Sequence, residues 1–401
     1  MRAGFHKTIV AQGSGLRAVG ACPQPRAPSP EPRGVAFDPL KHTSIWLPAY
    51  LRTRVRRPPS ATPIHVLFCI ADHFEPDWNR ATEEEQLRRV DRWARDYPCL
   101  ARAHRDRDGR HPRWTFFYPA EAYQADVLER LAQLCRAGWG EAEVHLHHDG
   151  DTSASLSEKL ERAKADFARH GLLARERATT RVRFGFVHGN WALDNSGADG
   201  RWCGVNNELE ILRDAGCYAD FTLPSAPSPT QTRKINSLYY ATDDPQRPKS
   251  HDTGRDVAVG GQANGDLLIV QGPLTLNWRR RKYGLLPRIE NGELSATSPP
   301  SRQRADLWVQ EAAAIRGKED WRFVKVYTHG AKPANTEVLL GEPMDALFSY
   351  LESRYNDGTR YRLHYVTARE MYNIIKAAEH GETGEPGQYR DFELVSPMGT
   401  R

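Results

Sequence analysis

Residues 64–76 read IHVLFCIADHFEP, an apolar run over 64–71 interrupted only by His65 and ending in Asp72, His73 and Glu75. A run this continuous predicts a strand covered on both faces, as in a parallel sheet wrapped by helices. Cys69 fits there as a small hydrophobe. The polar residues that close the run fall at a strand end, where parallel α/β folds assemble their sites.

Working outward, strand and helix patterns alternate. EEEQLRRVDRWARDY has Leu87, Val90 and Trp93 at helical spacing, RWTFFYPA reads as a strand, ADVLERLAQLCRAGW as an amphipathic helix and EVHLHH as a strand. SLSEKLERAKADFARHGL is a helix opened by serine and closed by Gly171, followed by the strand RVRFGFVHG. ELEILRDAGC, DLWVQEAAAIRG and MDALFSYLESRYN read as helices, YADFTLPSA and RFVKVYTHG as strands, and RLHYVTAREMYNIIKAAEHG as strand then helix. This alternation predicts an α/β fold with a parallel sheet, open or closed into a barrel. Between 240 and 305 the pattern lapses into turn-rich loops around DLLIVQG, which reads as an insertion over one face.

Residues 1–60 hold ten Lys/Arg, two acids and nine of the 27 prolines, so the +5 net charge is a +8 leader joined to a −3 remainder. The leader is expected to be disordered and basic, with residues 61–380 the folded domain and 381–401 a tail. Because the surplus charge lies in the leader, the basic balance does not argue for nucleic acid, and Arg279, Arg280, Arg281 and Lys282 read as solvated charge. Six cysteines without paired spacing read as reduced thiols. No transmembrane segment or signal-peptide core is evident, and the expected compartment is cytoplasmic.

Histidine carries the chemical signal. EVHLHHDGDT packs His145, His147, His148, Asp149 and Asp151 into seven residues at a strand end. His145 and His147, two apart, share a strand face. Imidazoles beside carboxylates suit Zn²⁺ or a similar divalent ion. DHFEP adds Asp72, His73 and Glu75; THGAK adds His329; HGNWALDN adds His188, Asn190, Trp191 and Asp194. Together these supply the inventory of a metal hydrolase: ligands, a base, an acid and an aromatic wall.

An acidic strand end, then WTFFYPAEAYQADVLERLAQLCRAGW, then EVHLHHDGDT, resembles the NodB-type polysaccharide deacetylases of the glycoside hydrolase/deacetylase barrel superfamily. ELEILRDAGCYADFTLPS and VYTHGA are similar to that family's later elements, and the resemblance spans about 62–376. It implies an irregular (β/α) barrel of the polysaccharide-deacetylase type with an elaborated loop insertion. With IADH laid over the family's T-F-D-D, Asp72 is the general base and His73 stands at a ligand position. One residue out of register, Asp72 becomes the ligand and Glu75 the nearest base. The first alignment is preferred because both roles stay filled.

By the same resemblance His147 and Asp151 take the two positions of the family's histidine motif, with His148 or His145 able to substitute, and His329 protonates the departing amine. HGNW stands where the family has arginine-proline-tyrosine-glycine, so His188, Asn190, Trp191 and Asp194 are the expected substrate-binding residues. The implied activity is metal-dependent hydrolysis of C–N bonds, deacetylating an N-acetylated sugar or polysaccharide with a divalent ion such as Zn²⁺. Two alternatives stand beside it: hydrolysis of another small amide or ureide on the same fold, and a catalytically inactive saccharide-binding barrel.

Overall fold

The computed structural model describes residue 1 and residues 42–55, 63–396 and 398. The chain divides into Met1–Pro39 and Leu40–Arg401, and every element below belongs to the second unit. The disorder expected through residue 60 falls outside the described residues at 2–41 and 56–62. At Thr43–Val55 the chain is instead helical, with Trp46 and Tyr50 buried against Ala226, Ile235 and Leu274. The two aromatic residues lie four apart and so share one helix face.

The fold is mixed α/β around a sheet rich in parallel strands. Strand Lys318–Thr328 pairs parallel with Ile64–His73, which pairs parallel with Trp114–Pro119 and, along its first half, with Tyr361–Tyr365. From Trp114–Pro119 the parallel order continues through Gly140–Leu146, Val182–His188, Cys217–Asp220 and Leu267–Val270. Leu238–Ala241 then adds antiparallel to Leu267–Val270. Part of the expected 240–305 insertion therefore belongs to the sheet: LLIV is apolar enough to be buried on both faces. The hairpin Thr275–Lys282/Leu286–Glu290 carries the basic cluster out to solvent.

Side-chain alternation sorts the sheet into two layers. Val66, Phe68 and Ile70 join Trp114, Phe116, Ala142, Val144, Leu146, Phe184 and Phe186 under the helices. Leu67, Cys69 and Ala71 join Phe117, Val187, Phe221, Trp321 and Phe323 on the other face. Helix Glu83–Ala101 covers the first layer with Val90, Trp93 and Tyr97; Thr82 caps it by accepting from the Glu85 amide, and three glutamates in its first turn face the positive end of the helix. Trp93 is fully buried, and truncating such a side chain to alanine costs about 3–5 kcal/mol.

Two segments differ from the sequence expectation. DLWVQEAAAIRG is helical only over Arg302–Glu311; Ala313–Ile315 pairs antiparallel with the strand at 318–328, turned back by Gly317 at φ 89°. The expected tail at 381–401 is partly docked: Leu394–Val395 pairs with Ala174–Glu176. Arg369 fastens it, donating to the Leu394 carbonyl at 2.8 Å, to Asp391 at 2.6 Å and to buried Glu141 at 2.8 Å. Arg390 in turn reaches Glu370 and Asp106, each at 3.1 Å.

Candidate metal centre

At the carboxyl ends of the parallel strands, Ile64–His73 delivers His73 and, two residues on, Glu75; Gly140–Leu146 delivers His145 and then His147; Lys318–Thr328 leads into His329. Their rings converge, with centroids 5.1 Å apart for His73–His145, 4.8 Å for His73–His329 and 4.5 Å for His145–His147. Glu75 lies at the centre: its Oε1 is 3.3 Å from His145 Nε2 and 3.6 Å from His147 Nε2. The possible ligand atoms of His73, Glu75 and His329 lie within 4.8 Å of one another, as do those of Glu75, His145 and His147.

The surroundings fix what each ring can do. His145 Nδ1 faces the Val187 carbonyl at 2.8 Å, so its proton sits there and Nε2 turns toward Glu75. His147 Nδ1 is 2.6 Å from Glu121, and its side chain stays 29 % exposed. His73 is buried, and its Nε2 has no hydrogen-bond partner among the described residues. Trp191 packs beside His73 and His329, with ring centroids at 6.0 and 5.9 Å, and its indole N–H is likewise unpartnered. Asn190 is half-buried in the same turn.

Electrostatics divides the imidazoles. Burial, joined by the charges of His329 and His145, holds His73 well below the ordinary histidine value. Burial also takes His329 down to about 3. For His147, burial works against the charged form, but the Glu121 hydrogen bond and charge, with Glu75, outweigh it and raise the ring to about 9. Burial would raise the Glu75 carboxyl; the His145 hydrogen bond and the neighbouring imidazoles hold it well below the carboxylate range instead. A buried imidazole with an orphaned nitrogen, grouped within 4.8 Å of a carboxylate and a second imidazole, fits a divalent ion of the zinc class.

Asp72, the expected base, is not in this cluster. It shares the helix-facing side of its strand with residues 66, 68 and 70, and accepts hydrogen bonds from the Gly330 amide at 2.6 Å and the Trp114 indole at 2.8 Å. Burial pushes its carboxyl up to about 7 against those two bonds. Gly330 is required at its position, since a Cβ there would stand 2.1 Å from an Asp72 oxygen.

His148, Asp151, His188 and Asp194 also lie elsewhere. His148 and His188 lie together on the helix side, ring centroids 4.6 Å apart with the planes tilted by 48°, beside Glu208. Asp151 accepts from Lys159 at 2.6 Å and Ser155 at 2.7 Å near the start of helix Ser153–Arg169. Asp194 is buried and accepts from the Ser250 amide at 2.5 Å, so it anchors a loop rather than facing a ligand. His251, which stands 3.9 Å from Asp194, is buried there too.

The structure adds Glu121 to the centre, and it makes His145, expected from the sequence only as a substitute ligand, one of the converging residues. Glu121 lies two residues beyond the strand Trp114–Pro119, in the 3-10 turn Ala120–Ala122, so its place just past a strand end is the signal that marks it. Among the described residues no helix is long and apolar enough to cross a membrane. The chain matches no family model, and no curated protein matches it.

Proposed function

We propose that the chain is a metal-dependent hydrolase of amide C–N bonds that deacetylates an N-acetylated sugar or polysaccharide, on an irregular (β/α) barrel of the polysaccharide-deacetylase type. The convergence of four imidazoles on Glu75 at the carboxyl ends of parallel strands carries this reading. For the barrel, support comes from Lys325, on the strand at 318–328, whose ammonium donates to the Phe221 and Leu223 carbonyls at 2.6 and 2.5 Å beyond the far strand Cys217–Asp220. That pair of bonds links the strand at 318–328 to the segment after a strand far from it in the sheet order, which supports a sheet curled toward closure.

His73, Glu75 and His329 would hold a Zn²⁺-type ion. Such an ion supplies a water of lowered pKa and a Lewis acid for the amide carbonyl. Around it the two strand-end imidazoles split the proton work, as paired groups in unlike environments do. His145 keeps its Nδ1 proton on the Val187 carbonyl; with Glu75 engaged by the ion, the Nε2 proton it shares with that carboxylate would be released, leaving Nε2 to take the proton of the attacking water. His147, kept protonated by Glu121, gives its Nε2 proton to the departing nitrogen. The unpartnered Trp191 N–H is a donor for a substrate carbonyl or hydroxyl, and its ring walls the site. Asp72 acts through Gly330, fixing the backbone next to His329.

A second reading, hydrolysis of a small amide or ureide, is favoured by depth: His73 is 3 % exposed and His145 is wholly buried, which suits a small substrate better than a polymer. Acetate release from N-acetylated oligosaccharides, measured beside ammonia release from small amides and ureides, separates the two. Inactivity on both sets with the ion bound leaves the saccharide-binding barrel. A protein that binds no divalent ion contradicts both hydrolase readings.

A further inference from the structure

We infer that the chain holds a second, structural metal ion of the zinc class, ligated by His148, His188, Cys203 and Glu208 on the helix-facing side of the sheet. Two stretches of chain meet there: the loop after Gly140–Leu146, and the run from the end of Val182–His188 through the irregular loop 189–207 to the first turn of helix Glu208–Ala215. The four possible ligand atoms lie within 4.8 Å of one another, and all four residues are buried. A site closed on every side, made of two imidazoles, a thiol and a carboxylate, has the character of a structural rather than a catalytic zinc centre.

The donor geometry asks for a cation. His188 Nδ1 is 2.6 Å from the Gly189 carbonyl and must donate to it. In the neutral ring Nε2 therefore presents a lone pair, and it faces Glu208 Oε1, itself an acceptor, at 3.4 Å. That Nε2 is fully buried and has no hydrogen-bond partner among the described residues. Glu208 Oε1 also lies 3.1 Å from His148 Nε2, and Cys203 Sγ lies 3.3 Å from Glu208 Oε2. The Glu208 oxygens have donors in His148 Nε2, the Asp194 amide at 2.6 Å and the Cys203 thiol, but the lone pair of His188 Nε2 has none and faces an acceptor, a repulsive contact that a divalent ion between them relieves.

Charge balance agrees. Binding M²⁺ breaks the Cys203 S–H bond, releases that proton to solvent and forms an M–S bond; thiolate and carboxylate together then cancel the ionic charge, and two neutral imidazoles complete the set. A buried centre of zero net charge avoids the desolvation cost that any of its charges would carry alone. His148 Nδ1 lies 2.9 Å from Asp151 Oδ2, close enough for an ion pair though without hydrogen-bond geometry, so a carboxylate stands behind this ligand as it commonly does behind a ligating histidine.

The ion has a structural task in the loop it would pin. Residues 189–207 contain only short 3-10 turns, with Asn190, Trp191, Asp194, Asn195, Asp199 and Trp202 all at positive φ. The loop is drawn onto the 149–151 turn by Trp202 N to Asp149 at 2.7 Å and Asp151 N to the Cys203 carbonyl at 3.0 Å. Gly204, at φ 101°, has no room for a Cβ, which would stand 2.7 Å from the Asp151 amide. A ligated Cys203 and His188 would fasten both ends of the stretch that carries Trp191 to the first centre.

Cobalt substitution tests this, because among the described residues a cysteine belongs to this cluster alone of the grouped candidate ligands. The full-length protein loaded with Co²⁺ should show a thiolate-to-cobalt charge-transfer absorption. Cys203→Asp, which keeps an anionic donor, should lose that band while retaining cobalt; Cys203→Ala should lower metal content by one ion per chain. His73→Ala should leave the band in place, which keeps this result separate from the fate of the first centre. A cobalt-loaded wild type without the band, or a band that survives in Cys203→Asp, overturns the inference.

Discussion

Replacing Asp72 with asparagine distinguishes an anchoring carboxylate from a reacting one. In the wild type its two oxygens accept from the Gly330 amide at 2.6 Å and the Trp114 indole at 2.8 Å. Asparagine has one acceptor oxygen, so its NH₂ must confront one of those donors. The Gly330 peptide cannot swing aside, because its carbonyl is held by Trp93 Nε1 at 3.2 Å and Thr336 Oγ1 at 2.7 Å. Losing a charge-assisted bond and stranding a buried donor costs about 2–4 kcal/mol. Burial already pushes this carboxyl up to about 7, so a neutral side chain recovers part of the desolvation cost, and the expectation is near the lower end, about 2 kcal/mol. Urea unfolding followed by far-UV circular dichroism should show that loss with an unchanged m value. Folded Asp72→Asn should still take up metal, about 10- to 100-fold more weakly, because Gly330 positions the neighbouring His329. Unaltered stability and metal affinity with turnover abolished would show that Asp72 takes part in the chemistry, and the reasoning would fail.

Three further outcomes are expected. Arg369→Ala removes the bidentate partner of buried Glu141, which keeps Arg113 at 3.1 Å and the Thr367 hydroxyl at 2.7 Å, and should cost about 3 kcal/mol, the low end for a broken buried pair, most of it recovered when Arg369→Met is combined with Glu141→Gln; an equally unstable double variant would contradict the ion-pair account. Burial, with the charges of His364 and Arg362, takes His65 down to about 3 in the folded chain, whereas the unfolded chain binds a proton near pH 6.5. Its contribution is therefore intact above pH 6.5 and lost as pH falls toward 3, amounting to about 1–2 kcal/mol at pH 5 after solvent screening. His65→Gln should flatten the pH 7 to 5 stability slope by that amount, and an unchanged slope would refute it. Gly189→Ala puts a Cβ 2.3 Å from the His147 ring, forcing it from Glu121; NMR titration of metal-free protein should find His147 near 9 in the wild type and close to the ordinary histidine value in the variant, against no change if the pair is unimportant.

How far the sequence could be read depended on the distance between interacting residues. The run at 64–71, the amphipathic helices and the polar strand ends are local patterns, and they located His73, Glu75, His147 and His329 at one place. Alternation was the signal available for what was misassigned. Asp72 keeps step with Val66, Phe68 and Ile70 on the helix side, and His148 with Val144 and Leu146, so each was destined for the face opposite His73 and His147. His188 follows Phe184 and Phe186 in the same way. Glu208 and Cys203 could not be paired with these histidines beforehand, since their meeting is set by the path of an irregular loop. The strand character of Ala313–Ile315 depends on pairing across the turn at Gly317, which helical propensity in an alanine run conceals. The docking of 390–395 likewise rests on Arg369 and Arg390, whose partners are remote in sequence.

Metal content of the purified full-length chain, measured beside His73→Ala and Glu75→Ala, tests the central claim most directly. The account predicts two divalent ions of the zinc class per chain in the wild type and a loss of one of them in each variant, with the Cys203-dependent cobalt band undisturbed. Variants that fold and keep the full wild-type metal content would contradict it.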